Sequence, residues 1–240
     1  MNTTKKDIRF NRERFDRGAK FYATKGIAPQ QAQLRVAVPF AASTGTYKFD
    51  IKKDASIALA IEMLLKRNDL FVARAIGMGI MVEPTAAKGT APIYSYPVQA
   101  GLALPTGLKG LTDTNAYAMY NGLLSMKTGQ TVNFSRFPVN KFLYVPEVQP
   151  EGLFNTDTKA VISKLVQPAF SIENLLEELP EEIVFAGTKE QPITLEFPAC
   201  TIAGEANTQA FAVLVVEGWL YEGGTTEDCH SAANPYNDCF

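Results

Sequence analysis

The side chains most able to do chemistry in this chain are few and poorly placed for it. His230 is the only histidine, so a Ser-His-Asp or Cys-His pair would rest wholly on one residue in a polar C-terminal stretch. Its neighbours Asp228 and Cys229 are adjacent in sequence and do not easily converge on one zinc ion. Cys200, Cys229 and Cys239 lack close CxxC spacing, and an odd count argues against a disulfide framework, so idle thiols in a reducing compartment are expected. Gly77 and Gly79 make a GxG, but Val82 stands where the third glycine of a dinucleotide fingerprint belongs. Residues 107–112 (GLKGLT) hold lysine and glycine without P-loop spacing and read as a loop. Glu173, Glu177, Glu178, Glu181 and Glu182 could approach a calcium ion, yet glutamates at i and i+4 on a helix followed by Pro180 read as a solvated acidic face. The expectation is a protein with no catalytic residue, no metal and no cofactor.

Composition agrees with a folded, non-enzymatic body. With 46% hydrophobic and 20% charged residues among 240, and no apolar run of membrane-spanning length, the chain reads as a soluble globular protein without a secretory signal. The net charge is only −2, but residues 1–26 carry eight bases against three acids, leaving −7 for the remainder. That arm interleaves Lys5, Lys6, Arg9, Arg12, Arg14, Arg17 and Lys20 with Phe10, Phe15 and Phe21. Ile8, Phe15 and Tyr22 repeat at seven, so a helical arm would carry a narrow apolar stripe suited to anionic lipid or nucleic acid. The alternative is a solvated tail whose aromatics fold back on a neighbouring subunit.

The body follows Gly26 and Pro29 with period-two patterning. Gln33–Phe40 and Thr46–Lys52 alternate as strands, and Asp54 is placed to cap a helix carrying Ile57, Ile61, Leu64 and Leu65. Leu70–Val82 and Gln209–Tyr221 are long and apolar on both faces, as buried strands are. In the first, bulky Leu70, Val72, Ile76, Met78, Ile80 and Val82 oppose small Ala73, Ala75, Gly77 and Gly79, inviting close approach by another layer. Shorter extended pieces are expected at Pro92–Val98, Ala116–Met126, Thr131–Phe137, Lys141–Val145, Glu182–Ala186 and Ile193–Phe197. Asn121-Gly122 fits either a hairpin turn or a helix end, with strand slightly favoured across Ala116–Leu124. Ser171, Ile172, Leu175, Leu176 and Leu179 before Pro180 suggest a second helix. Two short helices among ten or so strands exclude a doubly wound sheet and favour a sandwich or barrel.

One run resembles a known family. Tyr120-Asn121-Gly122-Leu123-Leu124-Ser125-Met126, Thr131-Val132-Asn133-Phe134, Phe137-Pro138-Val139 and Phe142-Leu143-Tyr144-Val145-Pro146-Glu147 are similar in cadence to major capsid proteins of small icosahedral, internal-membrane-containing single-stranded DNA phages of Bacteroidota. The resemblance covers about 30 residues. It implies the double jelly-roll lineage: residues 31–145 as a first roll, 146–222 as a second, 1–30 as the basic arm and 223–240 as a tail. Homotrimers would form pseudo-hexagonal capsomers, made in the host cytoplasm and residing in the virion. Partners would be neighbouring capsomers, penton and minor virion proteins, internal-membrane lipid and genomic DNA, the last two met by the arm. Loops near Val82–Pro92 and Ala100–Thr114 would form towers or inter-capsomer contacts. A single jelly roll with long loops, serving as a penton or minor coat protein, fits the length as well. From another class, a ligand-binding β-sandwich would use Trp219, Tyr221 and Tyr236 as an aromatic platform, while a cupin-like enzyme lacks the histidines it would need.

Overall fold

The computed structural model describes residues 8–42, 44–52, 63–86, 91–98, 109–112, 115–128, 131–144, 152–154, 161–163, 175–189 and 191–225. In chain order these form α1 (Ile8–Ala23), β1 (Gln30–Pro39), β2 (Thr46–Phe49), β3 (Leu70–Pro84), α2 (Tyr117–Tyr120), β4 (Leu123–Thr128) and β5 (Thr131–Pro138). A 3-10 turn (Val139–Phe142) follows, then β6 (Gly152–Phe154), β7 (Val161–Ser163), β8 (Leu176–Ala186), β9 (Ile193–Glu196) and β10 (Thr208–Tyr221).

Two antiparallel four-stranded sheets result, ordered β1-β10-β3-β8 and β2-β9-β4-β5, with β6 and β7 a separate hairpin. The eight sheet strands pair first with last (β1 with β10), second with seventh (β2 with β9), third with sixth (β3 with β8) and fourth with fifth (β4 with β5). The chain is thus one long hairpin, wrapped until β10 also meets β3 and β9 also meets β4. This order is compatible with a β-sandwich of the jelly-roll kind. Both sheets take strands from either side of residue 145, so the boundary expected there between two rolls cuts through both of them.

Alternation builds the interior. Leu34 and Val36 of β1, Tyr47 and Phe49 of β2, Leu124 and Met126 of β4, Ile193 and Leu195 of β9, and Leu214 and Val216 of β10 meet in one buried cluster between the sheets. Each such side chain contributes roughly 1.5–3 kcal/mol by leaving water. The outer face of the first sheet is apolar too, which is why β3 and β10 lack polar alternation. At one end Met81, Phe211, Val213 and Val215 lie under Ile93 and Leu175; at the other Leu70, Val72, Val184 and Tyr221 lie under Tyr22 of α1.

Several expected elements are corrected by these contacts. In β3, pairing slips on both sides between Ala73 and Ala75, so exposed Arg74 forms a bulge. The bulky residues therefore do not share a face: Ile76, Met78, Ile80 and Val82 point between the sheets, while Leu70 and Val72 point outward. The expected small face survives beyond the bulge, where a Cβ on Gly77 would collide with the Leu175 carbonyl and one on Gly79 with Ile93 and Tyr94. The expected helix ending at Pro180 is strand from Leu176 onward; residues 171–174 lie outside the described residues. Pairing with β3 outweighs the i, i+3, i+4 leucine spacing, and Pro180 sits in the unpaired stretch between Glu178 and Ile183, where no ladder donor is required.

The helix expected after Asp54 lies mostly outside the described residues, but its last turn is extended: Met63 bridges Arg35 and Leu65 bridges Lys52. Ala116–Met126 divides into α2 and β4, with Asn121 as the helix C-cap. Pro92–Val98 contributes a single bridge, Tyr94 to Ile80, and Lys141–Val145 begins inside the 3-10 turn rather than as a strand.

Candidate functional site: the N-terminal helix and its seat

Helix α1 lies against the outer face of the first sheet through the stripe that its heptad spacing predicts. Phe15 packs on Trp219 with ring centroids 4.7 Å apart, and one heptad later Tyr22 packs on Tyr221 at 4.6 Å. The Tyr22 hydroxyl donates to the Gly224 carbonyl at 3.3 Å, and Phe21 meets Tyr22 edge-on at 5.2 Å. Gly18, three residues after Phe15 and four before Tyr22 and so on the same helix face, is buried. The helix ends on Gly26 at φ +76°, whose N–H donates to the Ala23 carbonyl, while Ile27 N–H reaches back to the Tyr22 carbonyl and its side chain joins the same apolar cluster.

The arm residues singled out from sequence divide sharply. Lys5 and Lys6 lie outside the described residues, and Arg9 and Phe10 fall in the first turn of α1. Arg12, Arg17 and Lys20 are exposed, with Glu13 and Asp16 interleaved at i, i+4 spacings that offset much of their charge. Arg14 is half-buried and faces Glu182 of β8. Phe15 and Phe21 are half-buried on the protein's own sheet.

Glu182 is the buried acid of this seam. The acidic run reads as a solvated face and Glu182–Ala186 as a strand; the strand holds, and the Glu182 side chain on it is 9% exposed, with Arg14 and Arg74 as its charged neighbours. Burial raises its pKa, and the two arginines oppose that shift without cancelling it. Glu177 and Glu178 pair with Lys141 and Arg74 at 3.5 and 2.9 Å, so the acidic run is shared among separate partners. Among the described residues no group of three His, Cys, Asp or Glu side chains is placed to hold a metal; Glu173, Asp228, Cys229 and His230 lie outside them.

The described part of the 107–112 loop is tied to the body. Glu205 accepts from Gly110 N–H at 3.1 Å and from Lys109 Nζ at 3.2 Å, and these contacts hold its carboxyl below the usual range. Trp219 and Tyr221 are covered by α1, Tyr221 completely, so they form no open aromatic platform; Tyr236 lies outside the described residues. What could have revealed this seat is their parity on β10: both sit on the strand's outer face, where large aromatics need a cover. No family model matches the chain, and no curated protein or solved structure matches it either.

Proposed function

We propose that the protein is a structural coat subunit of an icosahedral phage shell, built on one jelly roll, with the α1 side turned toward the particle interior. The observation that carries this is the wrapped-hairpin strand order together with an interior filled by side chains. Phe49, Phe71, Tyr120 and Phe185, each no more than 1% exposed, occupy the space between the sheets where a barrel enzyme would keep a substrate cavity. The surface that a binding sandwich would offer, Trp219 and Tyr221, is taken by the arm.

A single roll among the described residues favours the penton or minor-coat form of the reading over trimeric, double-roll capsomers. On this reading the partners are further copies of the chain, the other virion proteins, and the genome or membrane inside the shell. The test is the mass of the purified chain by light scattering, followed by electron microscopy of the same sample across salt concentration. A closed homo-oligomer that extends into sheets or shells is expected; a pentamer assigns it to the vertices. A monomer at every salt concentration overturns the proposal.

A further inference from the structure

We propose that one end of the roll, where four chain segments are stitched together around the C-terminus of α1, is a binding surface for nucleic-acid phosphate. The segments are the α1–β1 connection (24–29), the turn before β3 (66–69), the turn after β8 (187–189) and the turn after β10 (222–225). A set of hydrogen bonds links them. Gly187 N–H donates to the Asp69 carbonyl at 3.0 Å, Thr225 N–H to the Asn68 carbonyl at 3.0 Å, and the Thr225 hydroxyl to the Arg67 carbonyl at 3.2 Å. The buried Asp69 carboxylate accepts from Gly223 N–H at 3.0 Å, and the Tyr22 hydroxyl joins the last turn of α1 to Gly224. A Cβ on Gly187 would collide with the Lys66 carbonyl, so these two turns lie in close backbone approach.

What this scaffold presents is positive charge. Lys25, Lys66 and Arg67 are exposed there and Lys189 is half-exposed, whereas Glu222 is the one exposed acid among the described residues of these segments. Lys66 and Glu222 approach at 3.8 Å with both side chains more than half exposed, a pair too solvated to cancel the local field. Lys66 and Arg67 belong to the turn that Thr225 ties to the end of β10. The described large apolar side chains that remain exposed are Met63, Tyr117, Val132 and Tyr144, none of them in this rim. With Phe15, Phe21 and Tyr22 of α1 packed on the sheet as well, the described part of this surface has charge without an apolar anchor, which suits a phosphate backbone better than a bilayer.

The inference deepens the coat reading and rests on it for which polyanion is met, namely the packaged genome. Binding of the full-length chain to labelled oligothymidylate is measured by fluorescence anisotropy, and the solution mass is read on the same samples. Three to four phosphate contacts predict roughly a 20- to 50-fold loss of affinity between about 50 and 200 mM salt. The K66Q/R67Q variant removes charge but no backbone bond, so it should melt like the parent and bind at least about tenfold more weakly at the lower salt. Unchanged affinity in that variant overturns the proposal, as does binding to phosphatidylserine vesicles with none to the oligonucleotide. Assembly without DNA binding sinks this inference alone, and DNA binding by a permanent monomer sinks the coat reading alone.

Discussion

The ring of Phe15 lies 4.7 Å from that of Trp219, the chain's single tryptophan. Intrinsic fluorescence therefore reports directly on whether the N-terminal helix is seated. Phe15→Ala should shift Trp219 emission to the red and destabilise the protein by about 1–2 kcal/mol, as loss of a half-buried aromatic pair does. An emission maximum identical to the parent's would mean that α1 does not rest on this face in solution.

Glu182 gives the seam a pH signature. Its pKa is raised by burial, so its contribution to stability is fully present below the ordinary carboxylate value and is lost as pH rises through the raised one. Glu182→Gln, which has no charge to bury, should be at least as stable as the parent at about pH 8, with that advantage shrinking toward about pH 4. Denaturant midpoints for the two proteins across this interval check it, and an advantage that grows on acidification contradicts the assignment.

Gly77 admits no side chain. A Cβ there would meet the Leu175 carbonyl oxygen, a backbone atom that moves only if the cover over the first sheet moves. Gly77→Ala should cost about 1–3 kcal/mol in chemical denaturation, although alanine elsewhere in a strand is usually the better tolerated residue. A neutral result would mean that the 175 segment is not seated on β3.

Arg136 occupies the left-handed region at φ +58° in edge strand β5, with its N–H donating to Ser125 Oγ at 3.1 Å. Arg136→Gly should be neutral or stabilising by up to about 1 kcal/mol, and Arg136→Val destabilising, since a β-branched residue resists this conformation. Thermal melts of the two variants should therefore fall on opposite sides of the parent, or one on it and one below.

The strands whose alternation matches a single burial direction were legible from residue types alone: Leu34 and Val36, Tyr47 and Phe49, Ile193 and Leu195 all face the interior as their spacing requires. What escaped was set by partners distant in sequence. Arg74 marks a bulge only because β8 and β10 flank it, and the leucines at 175, 176 and 179 carry helical spacing that pairing with β3 overrides. The arm's stripe was equally visible in Phe15 and Tyr22. Its destination was not, because a heptad states which residues share a face and nothing about which surface that face will meet.

The position of β10 has a consequence for biosynthesis. Of the described sheet strands it is synthesised last, yet it lies between β1 and β3 and supplies the ladder for both. Until it emerges, those two strands have no ladder between them, and a nascent chain that already carries the other seven sheet strands still exposes the edges it will later pair. Folding of the first sheet therefore waits for β10 to be synthesised, making the chain dependent, until then, on whatever shields unpaired strands in the cell.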